Sequence, residues 1–356
     1  MIGAFVIAAL AVAWALLQLI GGGVGTNRGD EPRVTTLQWA TSAVGSGGHR
    51  AKVALMTVLN RQMDDYHIDV MPTPGAVATI RGYASGEFDG YYGADIAFHE
   101  FARNAGRFRG VRDRAEREPV QSFWAYTMEV GLAVRSADRE AYDGWRDLDG
   151  RPVFTGPAPW DVRAHLERAL EVLGVEHRYR ELDTGLAGSA LAGGSIDAFI
   201  AYTVAEASVA PWVAEAQLAS DIAILNPSDE EAAALAAAGL EVVRVDADVF
   251  RGDVGVDEVH LVPFFYGFHL GLEVPADDVY RMLTIIERHA ADLAAADPAF
   301  AQIARDMPGM QRRGVAASVE SVRVHPGLAR YMRERDVWDP AWDGRIASAP
   351  QADQPD

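Results

Sequence analysis

Short stretches of alternating apolar and polar residues are followed, along this chain, by helical patterns. Residues Val34 to Ala40 alternate as a half-buried strand does. Beyond Arg50 apolar residues recur at helical spacing, on a face formed by Ala51, Ala54, Leu55, Val58, Leu59 and Met63. A second strand at residues 67–71 and a helix ending near Ser85 repeat this order. The repetition predicts an α/β protein with a parallel sheet.

Two longer apolar runs, Phe123 to Val134 and Val256 to Leu272, interrupt this pattern. Between them lies a second strand–helix unit, whose helix is predicted from Asp161 to Leu173 and ended by Gly174. The sequence GSIDAFIA at residues 194–201 of this unit echoes GEFDGYYG at residues 86–93 of the first. A weak internal repeat at comparable points indicates two lobes of like topology.

The lobes are predicted as residues 31–135 with 256–330 for lobe I, and residues 136–255 for lobe II. The two apolar runs would cross between them. Residues 331–356 form a predicted C-terminal segment, whose polar, proline-containing tail from Ala347 is expected to be disordered.

The turn between the first strand and its helix carries three glycines, Gly45, Gly47 and Gly48. Glycines let the backbone approach a ligand, and the free N–H groups of a helix start attract an anionic or polar group. Neither a P-loop nor a dinucleotide fingerprint fits, because Lys52 follows alanine and Arg50 replaces a required glycine. Together with Thr73 and Tyr92 at the ends of neighbouring strands, this turn predicts a binding site. An ordinary glycine-rich turn is the alternative.

Composition narrows the functional classes. A net charge of -19 argues against nucleic-acid binding, which needs clustered basic residues, and favours a soluble monomer. The absence of cysteine excludes disulfides and thiolate metal sites. No H-x-x-x-H or H-E-x-x-H motif is present, and no base stands beside a nucleophile, so neither a metal, a cofactor nor catalysis is expected. His99, His165 and His269 are interpreted as hydrogen-bonding residues, and Asp89 and Asp197 as caps of local backbone N–H groups.

Residues 2–20 are uncharged and almost wholly apolar, long enough to span a bilayer. We predict a signal peptide or membrane anchor over residues 1–25, with the rest of the chain outside the cytoplasmic membrane. No A-x-A cleavage site follows, which favours the anchor, and a buried core helix is the remaining alternative.

Five motifs follow one another in an order that resembles one family. They are the turn Thr41 to Gly48, Gly86-Glu87-x-Asp89, Asp147-Leu148-x-Gly150-Arg151-x-Val153, Gly194-x-Ile196-Asp197-Ala198 and His325-Pro326-Gly327-x-x-x-Tyr331. The chain thus resembles the TAXI-type solute-binding proteins of TRAP (tripartite ATP-independent periplasmic) transporters over nearly its whole length after the N-terminal segment.

This resemblance implies a type II periplasmic-binding-protein fold, with two α/β lobes, two crossover hinge strands and a solute in the cleft. It implies no catalysis, and delivery of a carboxylate or acidic amino acid to a TRAP-type permease. From the turns and the resemblance we predict as ligand-binding residues Ser42, Ala43, Val44, Gly45, Ser46, Thr73, Pro74, Gly75, Tyr92, Trp160, Tyr202 and Thr203.

The chain departs from the family in its aromatic residues. Where small residues form the second-lobe turn of the family, this chain has Gly156-Pro-Ala-Pro-Trp160-Asp161, and Tyr91 and Tyr92 replace smaller residues. A more aromatic cleft would change the expected ligand, whereas core packing is the alternative for each ring. A membrane-tethered ligand sensor of the same fold is the alternative function.

Overall fold

The computed structural model describes residues 34–348. The predicted signal peptide or anchor, and all but the first two residues of the predicted tail, lie outside this range. In the part of the chain that is described, no helix is long and apolar enough to cross a membrane.

Thirteen strands are present among the described residues. They are β1 (Thr35–Thr41), β2 (Tyr66–Pro72), β3 (Gly90–Ala94), β4 (Val120–Gln121), β5 (Trp124–Arg135), β6 (Pro152–Phe154), β7 (Arg178–Tyr179), β8 (Ala198–Val204), β9 (Ser208–Val209), β10 (Ile222–Leu225), β11 (Val243–Asp246), β12 (Glu258–Leu270) and β13 (Arg323–Val324). Strands β5 and β12 correspond to the two apolar runs of the sequence.

Eleven α-helices are present among the described residues. They are α1 (Gly47–Gln62), α2 (Ala76–Ala84), α3 (Asp95–Ala102), α4 (Asp161–Leu173), α5 (Ala187–Ala192), α6 (Pro211–Ala219), α7 (Asp229–Ala237), α8 (Ala276–Arg288), α9 (Ala290–Ala296), α10 (Ala301–Ser318) and α11 (Pro326–Arg333). Helix α4 has the predicted bounds, and it ends because Gly174 adopts a left-handed φ of 73°.

The main sheet has the strand order β2-β1-β3-β12-β5-β8-β6-β7, with β10 beside β5, β11 beside β12 and β9 beside β8. We call β1 to β3 the first sheet half and β6 to β10 the second. In the first, β1 is parallel to β3, and β3 is antiparallel to the long strand β12. In the second, β6 is parallel to β8, and β8 is antiparallel to the long strand β5. The order β2-β1-β3-β12-β5 is thus matched by β7-β6-β8-β5-β10, which confirms the two-lobed type II periplasmic-binding-protein fold.

The weak sequence repeat falls at equivalent strands. Gly86 and Gly194 both have left-handed φ angles, of 79° and 70°, and precede β3 and β8. Asp89 donates its backbone N–H to Gln38 of β1, as Asp197 does to Pro152 of β6. The side chain of Asp89 also accepts from the Gln38 N–H at 2.8 Å, so it ties the turn to another strand instead of capping a local group.

The two long strands are shared between the sheet halves. Strand β12 pairs with β11 up to Leu261 and with β3 from Tyr266 onward. Between these points β12 pairs, among the described strands, with β5 only. Pro263 lies in this stretch, where one edge of β12 has no strand partner and a missing N–H is tolerated. The described residues from Thr36 onward form one compact unit, and the lobe boundaries given above stay a prediction.

The His-Pro-Gly motif has a structural role. His325 is the N-cap of α11 and accepts the Gly327 N–H with Nδ1 at 3.1 Å, while Nε2 lies 3.1 Å from the Val274 carbonyl oxygen. Pro326 fits the first helical position because its missing N–H has no acceptor there. A Cβ at Gly327 would lie 2.5 Å from the Ala276 carbonyl oxygen, so the motif brings α11 close to α8.

Candidate ligand-binding site

A cavity of about 840 Å³ is lined from both sheet halves. The first half contributes the turn before α1, the start of α2 and Tyr92 of β3. The second contributes the start of α4 and Tyr202 of β8, while Met128 and Tyr266 come from the two shared strands. A cavity of this volume can enclose a small organic molecule.

Most of the predicted site residues meet at this cavity. Its wall includes Ser42, Ala43, Ser46, Pro74, Gly75, Tyr92, Trp160 and Tyr202. Its wall does not include Val44, Gly45, Thr73 and Thr203. Val44 is 74% exposed, Thr73 bonds to Gly75, and Thr203 is fully buried and donates to Glu129. For these four, a role in binding stays a prediction.

The turn before α1 is held by its own hydroxyl groups. Ser46 is the N-cap and accepts the His49 N–H at 3.3 Å, and its Oγ lies 2.7 Å from Ser42 Oγ. The N–H groups of Gly47 and Gly48 lie in the first helical turn, where no intrahelical acceptor is available. Both glycines line the cavity, so the positive end of a 16-residue helix is directed toward it.

Tyrosines form the inner wall. Tyr92 stacks on Tyr266 with ring centroids 4.6 Å apart and an interplanar angle of 7°. Its hydroxyl lies 2.5 Å from that of Tyr126. Burial raises the pKa of Tyr92 and of Tyr266 well above the ordinary value, and that of Tyr202 to about 12. These hydroxyls therefore stay protonated and act as hydrogen-bond donors as well as acceptors.

The structure decides between cleft lining and core packing for Tyr91 and Tyr92. Tyr91 is fully buried, donates to the Val120 carbonyl oxygen at 2.5 Å and packs on Tyr83, so it belongs to the core. Tyr92 and Trp160 face the cavity. The prediction of an aromatic cleft thus agrees with the placement of Tyr92 and Trp160, but not with that of Tyr91.

Asp161, beside Trp160, links the second sheet half to the first. As the first residue of α4 it is buried, with 1% of its side chain exposed. Its Oδ1 accepts from Arg107 Nη1 at 2.6 Å, and its Oδ2 accepts from the Tyr266 hydroxyl at 2.6 Å. Arg107 in turn donates to Glu100 and to the Pro159 carbonyl oxygen. The carboxylate is stabilised by this arginine and by the N-terminus of α4.

A second buried carboxylate lies on the shared strand β5, next in sequence to the wall residue Met128. Glu129 is fully buried and accepts hydrogen bonds from Thr127, Thr203 and the Glu206 N–H. Burial raises its pKa above the ordinary value, against the effect of these donors. Gln302 extends the network, since it bonds to Thr127 and Glu206. This network links β5 to β8, the two strands that carry Met128 and Tyr202.

Sequence reasoning missed several residues of the wall, namely Arg81, Glu87, Arg109, Arg114, Met128, Asp161 and Tyr266. Asp161 offered a signal, as an acidic residue at the start of a strongly patterned helix. Tyr266 offered only its place in an aromatic run. The arginines offered none, because they are common residues on loops and on an exposed helix face.

Metal binding finds no support in residues 34–348, where no group of three or more His, Cys, Asp or Glu side chains is placed to hold an ion. His269 accepts the Ser122 N–H at 3.1 Å, and His165 packs on Phe264. Burial lowers the pKa of both imidazoles to about 3, so both rings are neutral.

No protein-family model matches the chain, and no curated protein matches it in sequence. Similar solved structures include MatC from Rhodopseudomonas palustris with bound malate, at 13% identity and a TM-score of 0.48, covering 86% of this chain and 98% of that one. The periplasmic aliphatic sulphonate binding protein SsuA from Escherichia coli gives 13% and 0.38, covering 86% and 84%. The probable amino-acid ABC transporter extracellular-binding protein YtmK from Bacillus subtilis gives 13% and 0.41, covering 77% and 98%. Because these TM-scores are low, the fold assignment above rests on the strand order.

Proposed function

We propose that this protein is an extracytoplasmic solute receptor that captures a small molecule between two lobes. One observation carries the proposal: the cavity of about 840 Å³ is lined from both sheet halves and lies against the strands that join them. A solute that touches both halves binds a closed arrangement better than an open one. The stretch of β12 between Leu261 and Tyr266 is the proposed hinge, with the lobe boundaries predicted from the sequence.

The proposed partner is a TRAP-type membrane permease, to which the receptor delivers its solute as a monomer. The family resemblance of the sequence supports this step. The predicted N-terminal anchor would keep the receptor at the outer face of the cytoplasmic membrane. Binding rather than turnover is supported by two features of the cavity wall. Ser42 and Ser46 bond to each other, and the buried carboxylate of Asp161 is bonded to Arg107 and Tyr266.

The experiment replaces Ser46 by tryptophan. Solute that co-purifies with the native protein is identified by mass spectrometry and titrated into refolded, solute-free protein by calorimetry. In the unaltered protein a hundredfold excess over the dissociation constant should add about 2.7 kcal/mol of stability. Ser46→Trp should abolish binding, because the ring fills the approach to the start of α1.

Ser228→Trp is the matched control. Ser228 is the N-cap of α7, accepts the Glu231 N–H at 3.3 Å as Ser46 accepts that of His49, and lies outside the cavity wall. Both variants lose a helix cap, worth about 1 kcal/mol, but only Ser46→Trp obstructs the cavity. Retention of full solute affinity by a folded Ser46→Trp protein would show that the solute binds elsewhere.

A further inference from the structure

Three arginines stand at the mouth of the cavity. Arg81 lies on α2, and Arg109 and Arg114 lie in the segment between α3 and β4; all three are exposed and all line the cavity. None of them forms an ion pair with a carboxylate in residues 34–348, whereas Arg107, close in sequence, pairs with Glu100 and Asp161. These three guanidinium groups share one opening although the net charge of the chain is -19.

The backbone holds two of these side chains near the mouth. Arg81 donates to the Arg107 carbonyl oxygen, and Arg114 donates through Nε to the Gly110 carbonyl oxygen at 2.9 Å. Each guanidinium has five N–H groups in a planar fork, so most of these donors remain available. The acidic residues of the cavity wall are Glu87 and Asp161, and Asp161 is already bonded to Arg107. The mouth therefore carries an excess of positive charge.

The interior differs in character from the mouth. Its wall presents the rings of Tyr92, Trp160, Tyr202 and Tyr266 and the thioether side chain of Met128. Flat rings and a flexible thioether favour a bulky apolar body over a small, densely charged one. A volume of about 840 Å³ also leaves most of the cavity empty around a compact diacid.

We propose that the ligand is an organic anion with one acid group and a bulky, mostly aromatic or aliphatic body. The acid group binds Arg81, Arg109 and Arg114, and the body lies against the tyrosines and Trp160. This inference rests on the proposed function, because it assigns a ligand class to the same cavity. It differs from the small carboxylates and acidic amino acids that the family resemblance implies in having a bulky, mostly apolar body.

The test uses two dyes that differ by one acid group. The anion 8-anilinonaphthalene-1-sulfonate and its neutral parent N-phenyl-1-naphthylamine are titrated by fluorescence into the full chain. The variant Arg81→Gln/Arg109→Gln/Arg114→Gln should lose affinity for the sulfonate by about tenfold or more, since charge-assisted hydrogen bonds are lost. Its affinity for the neutral dye should stay within about twofold. Added salt should weaken binding of the sulfonate to the unaltered protein, but it should not weaken binding of the sulfonate to the triple variant.

A second triple variant, Arg61→Gln/Arg103→Gln/Arg312→Gln, changes the net charge equally at exposed arginines outside the cavity wall. It should keep the affinity for both dyes, and Trp160→Ala should weaken both. Equal affinities of the two dyes for the unaltered protein, equal losses in the two triple variants, or no binding of the sulfonate would each overturn the proposed ligand class. If Trp160→Ala weakens both dyes while the mouth arginines have no selective effect, the cavity remains the binding site and only this inference fails.

Discussion

At the scale of single residues, Lys52 is the clearest conflict between a side chain and its surroundings. It is the one lysine of the chain and is fully buried on α1, with Nζ 3.0 Å from the centroid of the Trp39 ring and 4.9 Å from that of Phe268. Nζ has no hydrogen-bond partner among the described residues. The ring faces favour the ammonium by about 2 kcal/mol, but loss of water disfavours it by more. Burial therefore lowers the pKa of Lys52 well below its usual value.

This lowered pKa predicts that stability depends on pH. Between the lowered folded-state pKa and the unfolded-state pKa, the unfolded chain binds a proton at Lys52 that the folded protein does not. Across that window stability should rise with pH by up to about 1.4 kcal/mol per unit. The gain should end near 10.5, the ordinary pKa of a lysine side chain. Lys52→Met removes this titration, so the variant should be more stable at neutral pH. Urea unfolding across the range from about pH 6 to about pH 9 measures both effects.

Arg61→Met is the control, because it removes an exposed cationic side chain from the same helix. It should leave the pH dependence unchanged. Parallel stability profiles for Lys52→Met and the unaltered protein would mean that Lys52 is charged in the folded state.

At the scale of elements, the start of α1 is shaped by close packing. A Cβ built on Gly48 would lie 2.6 Å from Ser42 Oγ and 2.8 Å from Cζ of the Tyr92 ring. Thr41 fixes the same point, since its Oγ1 donates to the Gly48 carbonyl oxygen at 3.1 Å. Gly47 is adjacent in sequence, and a Cβ there would meet nothing within 4 Å. Of these two positions, only position 48 therefore requires glycine.

We expect Gly48→Ala to destabilise the protein by about 1 to 3 kcal/mol, because Tyr92 is buried and stacked and has little space to move. The displaced ring would also narrow the cavity and weaken solute binding. Gly47→Ala should be neutral or stabilising by a few tenths of a kcal/mol, since alanine favours the helical state. Thermal unfolding compares the stability of the two variants, and calorimetric titration compares their affinity for the solute. Equal stability of the two variants would contradict the packing described here.

At the scale of the whole molecule, Asp161 is the link between the sheet halves across the cavity. Asp161 begins α4, the helix that follows β6 in the chain. Of its two partners, Tyr266 is paired with β3 in the sheet, and Arg107 lies in the segment that follows α3. The proposed hinge is the stretch of β12 that pairs with β5 but is reached by neither β11 nor β3, and bending there would let the halves move. A contact across the cavity and a flexible connection together predict an equilibrium between open and closed arrangements.

Asp161→Asn should shift this equilibrium toward the open arrangement. Loss of the carboxylate leaves Arg107 with one acidic partner. The closed arrangement should thereby be destabilised by about 3 kcal/mol, as expected when a buried ion pair is broken. Small-angle scattering of solute-free protein should give a larger radius of gyration for the variant. Asp138→Asn, which breaks a local ion pair with Arg135 at the end of β5, should leave the radius unchanged. An unchanged radius for Asp161→Asn as well would show that this contact does not hold the halves together.

Much of the architecture follows from the sequence itself. The strand–helix alternation, the two long apolar runs and the bounds of α4 all appear in the structure, because burial and helix capping act over a few neighbouring residues. The weak repeat at residues 86 and 194 also marks equivalent turns, since both need a glycine with positive φ before a buried strand. The glycine-rich turn was predicted to bind ligand from its place at a strand end, whereas Trp160 was predicted from the family resemblance.

The tertiary structure alone decided how distant segments meet. That Asp161 contacts Arg107 and Tyr266, that three arginines share one opening, and that Lys52 lies over Trp39 depend on how the strands are ordered in the sheet. Local propensity carries no information on such pairings. The sequence likewise did not distinguish Tyr91 from Tyr92, because successive residues of a strand point to opposite faces and only the packing of both faces shows which one lines the cavity.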